Sequence, residues 1–325
     1  MPRRKNISME DILFGVGHGR PQSVGNMEVI PLVDEGGIQD EGIDPPAVEV
    51  STPDYGTVNI RHSGSNPTIL PTGAGWVVKE AAQDHAVGSG SLVSSGESKN
   101  INTAMCIESS QGGTIKRGAH DMLILPVGLR SSALALRKER GYSKLWDSIG
   151  SFNSGYGIAG RKELVYFLKN FKKQLDQFVA EFELVSKQIG AIIMVNGKLV
   201  GVEMAPNVEY WSSIWDALIR VCYGSFAIRH VKPAYPNREP LRIEMNTLDG
   251  IRAALESSRR VQMGKTSRLL DKVRGDRLVL GTVDERMGSY QMMTVGSPGS
   301  TQLAGQMVVS ESSKTAPYLS VCVKV

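Results

Sequence analysis

Residues 191–202 read Ala-Ile-Ile-Met-Val-Asn-Gly-Lys-Leu-Val-Gly-Val, two apolar runs joined by Asn196-Gly197. An Asn-Gly pair tolerates positive φ at both central positions, which the type I′ turn of a two-residue hairpin requires. Apolar runs of this length on either side are typical of buried strands. The stretch therefore predicts a β-hairpin, and the rest of the fold is worked out from it.

A long helix is predicted immediately before the hairpin. The apolar residues that follow Glu163 are spaced alternately by four and three positions: Leu164, Leu168, Phe171, Leu175, Phe178, Phe182 and Val185. This spacing keeps one apolar stripe along about six helical turns, with charged residues on the other face. We expect the stripe to lie on a β-surface.

A second helix is predicted after the hairpin, over residues 208–227. Its apolar side would carry Trp211, Trp215, Leu218 and Cys222. Helix, hairpin and helix in succession indicate an α+β unit at the centre of the chain.

Short strands dominate the stretch before this unit. Residues 26–125 contain apolar or alternating segments, such as Met27–Leu32 and Val58–His62, that recur every 10–15 residues between turn signals. This rhythm is typical of an antiparallel sandwich or barrel-like sheet. Residues 1–25 are polar and glycine-rich, and we expect a flexible N-terminal arm there.

The final stretch begins with Pro233, Pro236 and Pro240, which indicate a linker. A capped helix is predicted from Asn246-Thr247, burying Leu248, Ile251 and Leu255, and four strand-like runs follow over residues 277–325. The predicted fold class is α+β, with an N-terminal antiparallel β-rich part, the helix-hairpin-helix unit and a small C-terminal β-rich module. The predicted domains are the arm at 1–25, an α+β domain at 26–232 and the module at 233–325.

The composition of the chain excludes several classes of protein. The 325 residues are 41% hydrophobic and 22% charged, which is ordinary globular usage, and no apolar run is long enough for a membrane span. The basic start lacks the apolar stretch of a signal peptide, and three widely spaced cysteines exclude a disulfide scaffold. These features favour the cytoplasm. The net charge of +4 is too small to indicate a nucleic-acid partner.

The segment from Trp76 to His85 holds the densest mixture of acid, amide and imidazole groups. Glu80 or His85 could act as a base, and Gln83 could bind a carbonyl or hydroxyl group. The alternative is the polar side of a short structural helix, with Trp76 facing inward. Both interpretations stay open at the level of sequence.

Cys106 and Glu108 form a second candidate. Alternate residues of a strand share a face, so the thiol and the carboxylate would lie side by side. A neighbouring carboxylate raises a thiol pKa, which predicts an inert Cys106 and leaves Glu108 as the candidate ligand-binding residue. No metal-binding spacing occurs among the five histidines, and neither a metal nor a cofactor is predicted.

The stretch 252–286 contains nine basic and five acidic residues, a net charge of 9 − 5 = +4. A basic surface there could bind an anion through Arg259, Arg260, Lys265 and Arg268. Interleaved aromatic residues are absent, which disfavours single-stranded nucleic acid. The alternative is a solvated helix face.

Several segments, taken in order, resemble the ARPP family, proteins named for their association with ADP-ribosylglycohydrolases and rhodanese-phosphatases. The resemblance covers roughly residues 26–228. Its matching segments are Met27–Leu32, Gly75, Gln83, Cys106-Ile107-Glu108, Lys144–Ile149, Gln188–Ala191, Val195–Val202 and Trp211–Tyr223. It implies a ligand linked to NAD or ADP-ribose, bound or processed through Glu80, Gln83, His85 and Glu108.

The chain also departs from the family pattern. Ala74, Trp76-Val77 and His85 stand where the family has an Asp, an acidic pair and an Arg. This loss of polar residues leaves open a second function: a non-catalytic assembly or structural protein, phage-encoded and forming homo-oligomers. The sequence does not decide whether the protein is an enzyme.

Overall fold

A computed structural model describes residues 6–36, 39–78, 84–110, 120–231, 247–298 and 303–325. The strands are β1 (Asn6–Ser8), β2 (Val16–His18), β3 (Gln22–Val24), β4 (Met27–Asp34), β5 (Val48–Asp54), β6 (Thr57–His62), β7 (Thr68–Leu70), β8 (Ala74–Val78), β9 (His85–Ala86), β10 (Ser91–Val93), β11 (Ser98–Ile101), β12 (Met105–Cys106), β13 (His120–Ile124), β14 (Gln188–Val195), β15 (Lys198–Met204), β16 (Arg277–Met287), β17 (Tyr290–Gly296), β18 (Leu303–Ser310) and β19 (Tyr318–Val323). The helices are α1 (Met9–Ile12), α2 (Val127–Ala135), α3 (Trp146–Ser154), α4 (Leu164–Asn170), α5 (Lys172–Glu181), α6 (Val208–Ala217), a π-helix (Leu218–Tyr223), α7 (Gly224–Arg229) and α8 (Leu248–Gly275). The described residues therefore form a mixed α+β fold, as predicted. Within the described ranges, no helix is long and apolar enough to cross a membrane.

A ten-stranded antiparallel sheet organises the molecule. Its strand order is β1, β16, β17, β18, β19, β15, β14, β4 and β2, and β3 also pairs with β4. The hairpin β14–β15 turns at Asn196-Gly197, where φ is 52° and 72°. Both residues thus adopt the left-handed conformation that a type I′ turn needs.

Both faces of this sheet are covered, which explains why β14 carries no polar side chain after Gln188. Every residue of β14 is buried. Ile193 belongs to the apolar cluster that contains Trp211 of α6, whereas Ile192 belongs to the cluster that contains Met9 of α1 and Leu270 of α8. Successive side chains of a strand point to opposite faces, so one run supplies two cores.

Three smaller antiparallel sheets complete the β-structure: β5–β6–β11, β7–β10 and β12–β9–β8–β13. Gln306 of β18 ties two of them to the large sheet, through the segments between β7 and β8 and between β9 and β10. Its Oε1 accepts hydrogen bonds from the Gly90 N–H at 2.7 Å and the Thr72 hydroxyl at 2.9 Å, and its Nε2 donates to Ser89 Oγ at 2.6 Å. A buried amide with these partners is satisfied, so it can hold the sheets in one arrangement.

A buried ion pair joins α2 to the large sheet. Arg130 Nη1 lies 2.7 Å from Glu203 Oε1, both side chains are 3% exposed, and the Tyr223 hydroxyl donates to the same oxygen at 2.5 Å. Arg130 Nη2 also donates to Ser320 Oγ. Loss of one partner would leave a buried charge without its counterion.

The helices on either side of the hairpin differ from the prediction. The single long helix is wrong: α4 ends at Asn170 and α5 begins at Lys172, with Phe171 non-helical between them. Alternating spacings of four and three cannot distinguish one helix from two that bury the same side. The predicted second helix contains a π-helical segment, Leu218–Tyr223, between α6 and α7. The helix-hairpin-helix unit is therefore not confirmed as drawn.

The three-domain division stays a prediction, but the sheet crosses both proposed boundaries. β1, from the predicted arm, pairs with β16, and β19, from the predicted module, pairs with β15. Met9 and Leu13 are buried in the same apolar cluster as Val202 and Leu319. The proposed Pro233–Pro240 linker lies outside the described residues.

Candidate functional site

Acidic side chains converge where β9, β12 and the start of α4 meet. His85 of β9 lies opposite Cys106 of β12. The backbone continues this contact: the Ile107 N–H donates to the Asp84 carbonyl at 2.9 Å, and the Leu164 N–H donates to the Ile107 carbonyl at 3.0 Å. These bonds bring together four polar residues that are each less than 7% exposed. We call this group the acidic cluster: Asp84, His85, Glu108 and Glu163.

The two carboxyl oxygens of Glu108 differ in their hydrogen bonding to the described residues. Its Oε1 accepts the Val165 N–H at 2.6 Å, which satisfies a donor of the first turn of α4. Its Oε2 is buried, and no hydrogen bond reaches it from the described residues. Burial raises the pKa of the Glu108 carboxyl to about 8; the Val165 bond opposes this rise, and Asp84 and Glu163 add to it. At neutral pH the group is therefore a carboxylic acid.

Glu163 precedes α4 and lies beside Glu108. Its Oε1 accepts a hydrogen bond from the Ser109 hydroxyl at 2.8 Å, whereas its buried Oε2 has no such partner within the described part of the chain. The Asn153 amide donates to the Glu163 carbonyl at 3.0 Å and so fixes the backbone. Two neighbouring carboxyl groups thus each keep one oxygen out of the hydrogen-bond network.

Cys106 is unsuited to nucleophilic chemistry. Its thiol is buried and donates to the Glu108 carbonyl at 3.0 Å. Burial raises the Cys106 pKa to about 11, and the charge of Glu108 contributes less. The predicted rise of the Cys106 pKa is therefore correct in direction. Its main cause is burial, however, and not the neighbouring carboxylate.

The chemistry available to the acidic cluster is proton donation and hydrogen bonding. A carboxylic acid that stays neutral at pH 7 can donate its proton to a ligand oxygen, and a neighbouring carboxyl group can accept one. Across the residues that the structure describes, no group of three His, Cys, Asp or Glu side chains is placed to hold a metal ion.

Comparison with known families places the chain. Residues 15–290 match the model of ARPP-1, described as the ARG and Rhodanese-Phosphatase-superfamily-associated Protein domain. The chain belongs to the ARPP-1 family. No curated protein and no solved structure matches the chain.

The ARPP-1 match is longer than the resemblance seen in the sequence. It begins at residue 15 rather than 26 and continues beyond residue 228 through α8 to residue 290. All four residues of the acidic cluster lie within the matched range. The family assignment therefore covers both sides of the boundary predicted at residue 233.

The structure of this ARPP-1 chain unites two of the four predicted ligand-binding residues. His85 and Glu108 both lie in the acidic cluster, and Glu80 and Gln83 lie outside the described residues. The alternative of a short helix from Trp76 to His85 is wrong, because these two residues lie opposite each other on the paired strands β8 and β9.

Sequence reasoning missed Asp84 as a separate group and Glu163 altogether. Glu163 lies 55 positions after Glu108 and reaches it only because α4 packs on the end of β12. The one signal was its position just before the apolar stripe, where acidic residues suit a helix start.

The four predicted anion-binding residues all lie on α8. Arg259, Arg260, Lys265 and Arg268 are exposed. Lys265 lines a groove of about 670 Å³ between α8 and the large sheet, which Glu28 lines from the sheet side. Val273 of α8 packs in the apolar cluster with α1, whereas Ile107, between the acidic residues, packs in another. The two predicted sites are thus separate, and the α8 site stays a prediction.

Proposed function

We propose that the acidic cluster binds the ribose of a nucleotide-derived ligand of the ADP-ribose class. One observation carries this proposal: Glu108 Oε2 is buried in an acidic environment without a hydrogen bond from the described residues. An unsatisfied buried polar atom costs about 1–3 kcal/mol, so its presence calls for a compensating role. Strongly shifted carboxyl groups occur preferentially at functional sites.

The chemistry of the cluster selects the part of the ligand that enters it. Ribose hydroxyl groups can donate to carboxylate oxygens and accept from a neutral carboxylic acid, as acidic residues do in dinucleotide sites. A pyrophosphate would be repelled by the carboxyl groups of Asp84 and Glu163. The family name supports this ligand class, because ARG denotes ADP-ribosylglycohydrolase. A cytoplasmic location is part of the proposal and suits three buried free cysteines.

Isothermal titration calorimetry with ADP-ribose, NAD, ADP and ribose 5-phosphate tests the proposal. We expect binding near pH 7 that weakens as the pH rises through about 8, because ionised Glu108 can no longer donate. Glu108→Gln keeps an amide donor and an acceptor for the Val165 N–H, so its affinity should no longer depend on pH in this range. Glu108 is 1% exposed, so binding requires local opening and each injection must be followed to equilibrium.

The matched control is Glu41→Gln between β4 and β5, which removes an exposed carboxyl group and should behave like the wild type. Absence of binding to all four compounds would refute the proposal. Chromatography of the same mixtures shows whether the ligand is processed, in which case Glu108 is the proton donor.

The second candidate is the structural or assembly role, and a specific observation favours it. Glu108 Oε1 accepts the Val165 N–H, so the residue holds α4 on the end of β12 without any ligand. If this is its whole role, Glu108→Ala destabilises the fold, Glu108→Gln does not, and no nucleotide shifts the melting temperature of either variant.

A further inference from the structure

Helix α8 is packed along only part of its length. Its 28 residues span about 42 Å at 1.5 Å per residue. The buried residues of α8 are Thr266, Leu270 and Val273, all in its C-terminal half. Residues 248–261, which we call the exposed half of α8, contain no buried side chain.

The exposed half carries large apolar side chains, and the predicted burial of Leu248 and Leu255 is wrong. Leu248 is 75% exposed, Leu255 is 52% exposed and Val261 is 56% exposed. Leu248, Ile251 and Leu255 recur at spacings of three and four residues and so share one side of the helix. Val261 lies about 120° round the helix from Leu255 and lines the groove against the large sheet. Contiguous exposed apolar residues of this kind mark interaction surfaces.

The charged residues of the exposed half indicate which partner can bind to it. Asp249, Arg252, Glu256 and Arg259 alternate in sign at spacings of three, four and three residues. The spacing of three, four and three is the same whether the helix is followed from its N-terminus or its C-terminus. The order of the charges is reversed between the two directions. A second copy of the helix that runs antiparallel therefore places a base opposite every acid.

The register follows from these numbers. Asp249 pairs with Arg259 of the other copy, and Arg252 pairs with Glu256, because both pairs are centred on Ala254. The same register sets Leu248 level with Arg260 and Leu255 level with Ala253. The two Leu255 residues are then offset by about 3 Å along the helix axis, near the centre of the contact. The charged residues thus set the alignment, and Leu255 of each copy lies near its centre.

We propose that a second copy of this chain docks on the exposed half of α8, forming an antiparallel helix pair about Ala254. The contact is isologous, as in most homodimers, since each helix offers the same residues to the other. About four turns of helix bury less than the roughly 1,200 Å² of a standard stable interface. We therefore expect a reversible dimer with a Kd on the order of micromolar.

Within one chain, the existing ion pairs do not compete strongly. Arg252 lies 3.9 Å from Asp249 and Arg260 lies 3.6 Å from Glu256, with all four side chains more than 60% exposed. Exposed pairs of this type contribute little to stability, so the charges can be shared with a partner helix.

Sedimentation velocity across a wide range of protein concentrations tests the proposal. We expect the wild type to shift from monomer to dimer as the concentration rises. Leu255→Glu should weaken association by at least about tenfold, because it places two carboxylates face to face. Circular dichroism should show an unchanged fold, since Leu255 is exposed.

Two charge variants test the antiparallel register. Asp249→Arg/Glu256→Arg makes all four positions basic, and Arg252→Glu/Arg259→Glu makes all four acidic. Each variant alone should stay monomeric, whereas their mixture should form a heterodimer. Arg268→Glu, an exposed change outside the contact, is the matched control and should dimerise like the wild type.

Three results would overturn the proposal. A wild type that is monomeric at every concentration contradicts the dimer. A dimer that survives Leu255→Glu lies on another surface. A failure of the two charge variants to associate with each other excludes the antiparallel pair about Ala254.

Discussion

Replacing Glu108 by glutamine is expected to stabilise the protein at alkaline pH. Folding moves the Glu108 pKa from 4.5 to about 8. The unfolded chain loses this proton near pH 4.5 and the folded chain keeps it, so the wild-type free energy of unfolding falls between these values and levels off above pH 8. The difference of 8 − 4.5 = 3.5 units, at 1.36 kcal/mol per unit, gives an upper figure of about 5 kcal/mol. Glutamine has no proton to lose and still accepts the Val165 N–H.

Thermal melting of both proteins between pH 4 and 9 measures this effect. For 325 residues, 5 kcal/mol corresponds to about 7 °C in Tm, so the variant should melt up to that much higher above pH 8 and converge with the wild type near pH 4. Glu41→Gln, at an exposed site, should leave the pH profile unchanged. Parallel profiles for Glu108→Gln and the wild type would show that the carboxyl is not neutral when buried, and would refute the reasoning.

Three further predictions concern the core, the thiol and the sheet. Arg130→Met should cost about 3–5 kcal/mol in urea unfolding, because Glu203 is left buried without its counterion, and Arg130→Met/Glu203→Leu should cost less; an equal cost for both would contradict this. Cys106 should react with iodoacetamide at neutral pH far more slowly in the folded than in the unfolded protein, because its pKa is about 11; peptide mapping that finds it alkylated first would show a thiolate. A protease site inserted between residues 235 and 242 should give two fragments that co-elute, since β15 and β19 pair across the cut; separate elution would support the predicted C-terminal module.

Local patterns were predicted far better than long-range contacts. The Asn196-Gly197 turn is specified by two residues whose backbone preference needs no partner, and the strands around it follow. The break at Phe171 coincides with a longer-range contact, since its ring lies 5.5 Å from that of Tyr156, which follows α3. No spacing rule contains that information.

The same distinction holds for the site. His85 and Glu108 were found because each lies in a polar segment that interrupts apolar sequence. Glu163 was missed because it joins them only through the docking of α4. The insertion of β19 between β15 and β18 is likewise invisible in the sequence, since any apolar strand could have filled that position.

The position of β19 has a consequence for how the protein is made. β15 ends at residue 204, but its second neighbour in the sheet begins at residue 318. While the intervening chain is being synthesised, β15 presents a row of unpaired backbone N–H and C=O groups, the kind of edge at which chains aggregate. Pairings of such long sequence separation also form slowly. We expect nascent chains that stall before residue 318 to depend on chaperones, and yield in their absence to be limited by translation speed rather than by the stability of the finished fold.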